Sequence, residues 1–420
     1  MDRNIKTRFL KIAETFNLKE LEDPGFKEKI KTSLTKHNSK NISDTDIFNV
    51  LLSIINGYYF TPINMIETIF TEQCNFNCNY CFIKRKSESS FNSETAIQTL
   101  NFLVLYSGNQ KNLYYTLLGG EPLLNFENIL NVISYSKKIN SETGKVIHFD
   151  ITTNGSLLNE TILQKSNGRL KYLLSIDGNK ESHDKHRKLN KAGSFETVIS
   201  KIQLLKKYQP WLGARMTICP DTVSKLSYNV KFLYNSGINQ FILGVCYGPK
   251  WDEKSLSIYE EELTKVSEYY LKRIKNNDRF RITYFEKEEN NNECLNGIWG
   301  CRAGRNSVTV LPNGNIYPCS KFVGLESFEC NEFCLGNIYE GITNLTAREK
   351  LFNMQSSDFK ICSTCDEINS CVGGCPAENY NQNRSVYIPC KDQCEITKIQ
   401  NRVLRKFWAE QEKATEKMAT

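Results

Sequence analysis

Eight residues, Cys74-Asn75-Phe76-Asn77-Cys78-Asn79-Tyr80-Cys81, constrain this chain more than any other stretch. The spacing CxxxCxxC gathers three thiolates in one short loop and withholds a fourth. A [4Fe-4S] cluster is normally held by four cysteines, so a three-cysteine loop leaves one iron open. An open metal position can bind a small molecule and act on it. Taken alone the loop also reads as a zinc knuckle or as three unrelated thiols, because short motifs match by chance.

The 420 residues suggest two or three domains. With 40% hydrophobic and 24% charged residues the chain has the composition of a globular protein. The formal charge of +7 is spread along the sequence without a basic block or arm, so nucleic-acid binding is not expected. No run approaches the ~18 apolar residues of a membrane span, and the N-terminus lacks the pattern of a secretory signal. A cytoplasmic protein without membrane attachment is expected. In a reducing compartment, 16 cysteines point to metal or catalysis rather than to disulfides.

Residues 4–16, 24–36 and 44–59 space apolar side chains three or four apart and predict helices, with Asp44 as a cap of the last. This gives a helical N-terminal extension over 1–62, read as a cap more readily than as a leader-peptide clamp. Beyond it the pattern changes. Short apolar runs at 65–70, 113–118, 146–152, 172–176, 213–218 and 241–245 predict strands. Amphipathic stretches at 94–106, 126–138, 159–165, 195–208 and 222–236 predict helices between them. Strands alternating with helices imply a parallel sheet with right-handed crossovers. The expected fold class is α/β, a partial (β/α)6 TIM-like barrel over 63–285. A cysteine-rich domain would occupy 286–400 and a C-terminal helix or tail 401–420.

In such barrels functional residues sit at the C-terminal ends of the strands. The cysteine loop follows the first strand, and Gly119-Gly120-Glu121-Pro122 follows the second. A carbonyl acceptor with a nearby carboxylate suits an ammonium group, and glycines admit close approach of a ligand to the backbone. Thr153-Asn154-Gly155 closes the third strand, and Ser175-Ile176-Asp177-Gly178 the fourth, followed by His183-Asp184 and Arg187. Asn-Gly and Asp-Gly also favour plain turns. Arg215, inside the fifth strand, needs an anionic partner.

The cysteine loop with its aromatic Tyr80, the GGEP turn and these later segments together resemble the radical S-adenosylmethionine (SAM) superfamily. The resemblance implies that Cys74, Cys78 and Cys81 hold a [4Fe-4S] cluster whose open iron chelates SAM, and that one electron cleaves SAM to a 5′-deoxyadenosyl radical. It implies SAM contacts from Tyr80, Gly119, Gly120, Glu121, Pro122, Thr153, Asn154, Ser175 and Asp177. The partner of Arg215 is either the SAM carboxylate or Asp177.

Farther on, Cys301-x12-Gly314-x4-Cys319 is followed by Cys362-x2-Cys365-x5-Cys371-x3-Cys375 and then Cys390. This is similar to the seven-cysteine SPASM pattern, and Cys294 supplies an eighth thiolate. The resemblance implies two auxiliary [4Fe-4S] clusters, one on Cys294, Cys301, Cys319 and Cys375, the other on Cys362, Cys365, Cys371 and Cys390. Pro312-Asn313-Gly314-Asn315 reads as a hairpin turn carrying two of these thiolates. Structural zinc is the alternative for four thiolates with CxxC spacing. Cys394 is a rival to Cys390, and Cys330 and Cys334 remain without a motif position.

SPASM enzymes of this superfamily act mainly on peptides and proteins. Anaerobic sulfatase maturases place an Asp after the cysteine equivalent to Cys319, where it serves as base; here Ser320 follows, and the base is unassigned. The resemblance therefore favours a maturase of a ribosomally synthesised precursor peptide, forming a thioether or other cross-link, over formylglycine formation on a sulfatase. An electron donor such as flavodoxin or ferredoxin is implied. A multi-cluster electron carrier is the non-enzymatic alternative, opposed by the barrel pattern and the GGEP turn.

Overall fold

The computed structural model describes residues 51–53, 55–57, 60–83, 86–166, 168–286, 301–323, 331–368 and 370–419. The helices expected at 4–16 and 24–36 lie outside these residues. That expected at 44–59 is described only from 51, and is helical over 51–53 and 55–57.

Six strands and their crossover helices follow in the expected order: β1 Met65–Thr71, α1 Ser93–Tyr106, β2 Asn112–Gly119, α2 Phe126–Thr143, β3 Val146–Thr153, α3 Glu160–Ser166, β4 Leu170–Ser175 and α4 Lys180–His186. Then come α5 Phe195–Ile199, α6 Lys201–Tyr208, β5 Gly213–Ile218, α7 Leu226–Asn235 and β6 Gln240–Val245. Each neighbouring pair from β1 to β6 is parallel. The fold is the partial (β/α)6 barrel that the alternation implies. The single helix expected over 195–208 is two helices, α5 and α6, meeting at Ser200, whose Oγ donates to the Thr197 carbonyl at 2.9 Å. Such a local bond competes with the helical ladder and favours a break.

Strands buried on both faces of a parallel sheet read as continuous apolar runs, but these alternate. On β2, Leu113, Tyr115 and Leu117 are fully buried under the helices, while Tyr114, Thr116 and Leu118 are half-buried. The second set faces the lumen, where Tyr114 stacks on His148 of β3 at 5.1 Å. Polar side chains at alternate positions mark the lumen as a space for ligands rather than a filled core.

Helix α8, Glu253–Lys275, runs on from β6, capped by the Asp252 carboxylate accepting from the Ser255 N–H and by Lys272, Arg273 and Lys275 in its last turn. Strand β7, Arg281–Ile282, pairs with β6. After it come β8 Ser307–Val310, β9 Asn315–Tyr317, β10 Gly336–Asn337, β11 Gly341–Ile342, α9 Leu345–Phe352, α10 Pro376–Asn383 and α11 Lys391–Ala419. Helix α11 therefore starts before 401, where the sequence pattern alone placed the C-terminal helix.

The cysteine-rich segment is joined to the barrel through the sheet itself. Strand β8 pairs in parallel with β1, Met65 opposite Ser307 through Thr68 opposite Val310, giving one sheet in the order β11-β10-β9-β8-β1-β2-β3-β4-β5-β6-β7. A partial barrel has free strand edges whose N–H and C=O groups need partners; β8 covers that of β1. The turn between β8 and β9 is the hairpin expected at 312–315, with Gly314 at φ +84°.

Candidate cluster and cofactor site

The three-cysteine loop leaves the C-terminal end of β1 and is strapped down on two sides. Asn77 N–H donates to the Lys188 carbonyl at 2.7 Å and Asn79 N–H to that of His186 at 3.0 Å. On the other side Gly120 N–H donates to the Thr71 carbonyl at 2.7 Å and Glu121 N–H to that of Gln73 at 2.8 Å. A Cβ at Gly120 would stand 1.9 Å from the Gln73 oxygen and 3.0 Å from Cys74 Cβ, so only glycine lets the two backbones lie together.

Glu121 is fully buried, and its carboxylate is committed inside the protein: Oε1 accepts from Thr153 Oγ1 at 2.8 Å and Leu123 N–H at 3.1 Å, Oε2 from Asn154 N–H at 2.7 Å. Burial outweighs these donors and pushes its pKa up to about 7. It thus locks the end of β2 to the Thr153-Asn154-Gly155 turn, while buried Pro122 opens the short turn that Glu121 caps. Asn154 Nδ2 donates to Asn75 Oδ1 at 2.9 Å and lies 4.0 Å from Cys74 Sγ, bringing the third strand to the cysteine loop.

Asp177 is equally committed. Arg187 Nε and Nη2 reach its two oxygens at 2.9 and 3.1 Å, Thr217 N–H donates at 2.9 Å, and Tyr80 Oη hydrogen-bonds it from the cysteine loop. Arg187 also lies over the Tyr80 ring at 5.4 Å. The alternative pairing of Asp177 with Arg215 is not formed, because Arg187 takes the carboxylate. Arg215 stands in register with Ser175 on β4, and its guanidinium rests over Gly244, where a Cβ would come within 2.9 Å. Burial lowers its pKa, while Tyr247, Glu67 and Asp177 lie near enough to favour the charge. Ser175 is buried at the end of β4.

The auxiliary cysteines gather in two sets. Cys301, Cys319 at the end of the β8–β9 hairpin, and Cys375 at the N-cap of α10 are electrostatic neighbours, and burial pushes the Cys301 and Cys319 thiols up. Cys294 lies outside the described residues, as does Cys330. In the second set Cys362, Cys365, Cys371 and Cys394 line one cavity, and Cys334 instead donates to the Gly336 carbonyl. Thiols crowded together and partly desolvated are costly as thiolates, even with Arg305 and Lys321 beside the first set and Lys398 beside the second, and form a donor set that a cationic thiophilic centre completes.

Spacing separates the kinds of centre. Tetrahedral zinc with Zn–S ~2.3 Å brings its sulfurs to within ~3.8 Å of one another. Among the described residues no three cysteine sulfurs close to within 4.8 Å; the one group that compact is His186, Cys219 and Asp221. There the Asp221 carboxylate is already paired with Lys185 at 3.0 Å and His186 at 2.9 Å. The wider sulfur sets suit a polynuclear cluster.

Two further groups were not legible as site residues in the sequence. Glu67 on β1 accepts from Thr309 Oγ1 at 3.1 Å and from the Ser320 N–H at 3.4 Å, so a carboxylate stands beside the residue after Cys319. Lys321 Nζ lies 3.1 Å from the centre of the Tyr247 ring, near Cys375.

Residues 68–223 match the radical SAM superfamily, and residues 301–367 match the SPASM iron-sulfur cluster-binding domain. A cysteine-type anaerobic sulfatase-maturating enzyme of Clostridium novyi is 25% identical over 74% of this chain and 87% of its own length. The radical SAM cyclopropyl synthase TigE of Paramaledivibacter caminithermalis is 23% identical over 80% and 73%, and the subtilosin biosynthesis protein AlbA of Bacillus subtilis 24% identical over 75% and 67%. In fold the chain is similar to anSMEcpe with bound AdoMet, at TM-score 0.66 and 20% identity over 82% of this chain and 95% of that one. It is also similar to Streptococcus suis SuiB bound to precursor peptide SuiA, at 0.60 and 16% over 91% and 89%. The cofactors are S-adenosyl-L-methionine, its [4Fe-4S] cluster and auxiliary [4Fe-4S] clusters. The chain thus carries a radical SAM domain over residues 68–223, followed by a SPASM domain over residues 301–367.

Proposed function

We propose that the protein is a peptide maturase that oxidatively modifies a ribosomally made precursor, forming a thioether or another cross-link. The observation that carries the reading is the lumen itself: the three-cysteine loop at its mouth, Cys319 and Ser320 against its β1 wall, and polar side chains between. Relatives named for sulfatase maturation, cyclopropyl synthesis and subtilosin biosynthesis support a peptide or protein substrate.

In this reading Cys74, Cys78 and Cys81 hold the SAM cluster, and Cys294, Cys301, Cys319 and Cys375 the nearer auxiliary cluster. Cys362, Cys365 and Cys371 hold the farther one with a fourth thiolate from the turn 390–394. The SAM cluster, when loaded, supplies the electron that cleaves SAM to a hydrogen-abstracting radical. The chain's own residues orient: Gly119 and Gly120 present backbone to the SAM ammonium, Thr153, Asn154 and Ser175 border its site with Pro122, and Glu121 and Asp177 hold those segments together with Tyr80. Arg215 offers a cation to a carboxylate in the lumen. Glu67 stands where a proton leaving a bound substrate can be taken. The barrel over 63–285 would do the chemistry, and 286–400 would hold the auxiliary clusters. A small electron carrier such as flavodoxin or ferredoxin would supply the reducing electron.

Sulfatase maturation is the second reading, favoured by the match over 87% of the Clostridium novyi enzyme. Ser320, where that branch usually has its Asp, speaks against it.

The test is anaerobic reconstitution of wild type and of a variant with Cys74, Cys78 and Cys81 all changed to Ala. About twelve irons should fall to about eight, with loss of reductant-dependent 5′-deoxyadenosine. Incubation with a precursor peptide encoded beside the gene should then remove hydrogen from the peptide by mass spectrometry. Formylglycine on a sulfatase peptide instead would establish the second reading.

A further inference from the structure

The farther auxiliary site has five cysteines within reach of four positions. Spacing in the sequence assigns the last to Cys390. The structure separates the two rivals, which lie one helical turn apart: Cys394 N–H donates to the Cys390 carbonyl at 3.0 Å.

Cys362, Cys365, Cys371 and Cys394 line a single cavity, together with Pro389 and Lys398, and Cys390 is not among its walls. Cys390 belongs to a different piece of local structure. Its N–H donates to Asn379 Oδ1 at 3.0 Å, and fully buried Asn379 spends its Nδ2 on the carbonyls of Gly373 and Val386 at 2.8 and 3.1 Å. That amide fixes the chain entering α11 and leaves the next turn to present a thiol to the cavity.

We propose that Cys394, and not Cys390, is the fourth ligand of the farther auxiliary cluster, so that this cluster pins the first turn of α11 to the cysteine-rich domain. The inference rests on reading residues 362–394 as an iron-sulfur site.

Its consequence reaches the barrel. Helix α11 lies along α8, where Arg402 pairs with Glu260 at 2.6 and 2.9 Å and Gln400 donates to Tyr259 Oη at 3.0 Å. Arg405 and Asn401 of the same helix reach Glu367, in the turn after Cys365, at 2.8 Å. One helix thus carries a cluster ligand at its start and a barrel contact at its middle. Occupancy of the farther site then sets how firmly the start of α11 is held against the rest of the molecule.

The test uses the full-length chain, anaerobically reconstituted, with iron and sulfide counts, EPR of the reduced protein, and hydrogen exchange over 391–400. Wild type is measured first: if the residue 362–394 site adds no iron beyond the other two clusters, the underlying reading falls, and this inference with it. With the site loaded, Cys390→Ala should keep the wild-type iron count and exchange pattern. Cys394→Ala should lose about four irons and exchange about tenfold faster over 391–400. Cys394→Ser, which keeps a small polar ligand, should hold part of the iron with an altered EPR signal, so that misfolding of the alanine variant does not decide the matter. Loss of iron from Cys390→Ala overturns the assignment, whatever Cys394→Ala does. Retention of all iron by Cys394→Ala overturns it equally.

Discussion

Asp177 receives both Nε and Nη2 of Arg187, at 2.9 and 3.1 Å, with both side chains buried. The pair joins the end of β4 to the residue that closes α4, and through Tyr80 it reaches the cysteine loop. Burial alone would raise the Asp177 pKa, but the Arg187 guanidinium outweighs it and holds the carboxyl below its usual range. Asp177→Asn keeps the shape and leaves a buried guanidinium without its counter-charge, a loss of about 3–5 kcal/mol. Urea midpoints of the reduced chain measure it. A depressed carboxyl contributes stability above its unfolded pKa of ~3.9 and loses it as pH falls through the lower folded value. The variant should therefore lose less stability than wild type on acidification below about pH 4.

Glu121 gives the opposite sign. Its folded pKa of about 7 lies above the unfolded carboxylate value, so its neutral form is the one the fold favours. The contribution is fully present below the unfolded value of ~4.3 and is lost as pH rises to about 7. Glu121→Gln removes the titration. Its stability should be flat where wild type declines between those two pH values, while the amide, facing the Asn154 N–H with a donor, costs about 1–2 kcal/mol. A wild-type decline that persists in the variant would assign the slope elsewhere.

How far the sequence could be read depended on how local each signal is. The strands at 65–70 and 213–218 were legible because apolar alternation and a flanking turn sit within one short window; β1 extends one residue past the first and β5 coincides with the second. The hairpin that carries Cys319 was legible from Pro312-Asn313-Gly314 for the same reason. The parallel pairing of β8 on β1 was not, because it joins residues some 240 apart in the chain, Met65 with Ser307, and no local pattern encodes register between them. Glu67 is not legible as a site residue, because a single acidic residue in an apolar strand looks like an edge position and only the fold brings the Ser320 N–H beside it. Cysteine spacing points to Cys390 as the fourth thiolate of the farther auxiliary set, with Cys394 only as its rival. A difference of one helical turn appears only when the start of α11 is fixed.

Gly120→Ala tests whether the GGEP turn works through its backbone. The added Cβ would meet the Gln73 oxygen at 1.9 Å, a backbone atom with nowhere to go, so the loop that carries Cys74 must shift. We expect loss of the iron of the SAM cluster with the auxiliary iron retained, read by iron count and EPR. Gly57→Ala is the control: nothing lies within 4 Å of its Cβ, and in a helix the change should stabilise by about 0.5–1 kcal/mol.

Arg348 on α9, 1% exposed, holds three segments together without any carboxylate. Nε donates to the Gly304 carbonyl at 2.9 Å, Nη2 to those of Arg305 and Thr61 at 2.8 and 3.1 Å, and Nη1 to Asn56 Oδ1. Its guanidinium also covers the Phe60 ring at 4.6 Å. Burial lowers its pKa to about 10, so it stays protonated at neutral pH. Asn56, Thr61 and the loop after Cys301 thus share one cation. Arg348→Met keeps the packing volume but strands the buried carbonyls of Gly304, Arg305 and Thr61, each worth about 1–3 kcal/mol when unpaired, and should cost at least about 3 kcal/mol in all. Arg348→Lys should recover little, because an ammonium cannot span acceptors arranged for a planar fork. If both variants unfold with the wild-type urea midpoint, the guanidinium is not what holds the two segments together. If only the lysine variant does, charge rather than fork geometry is what matters.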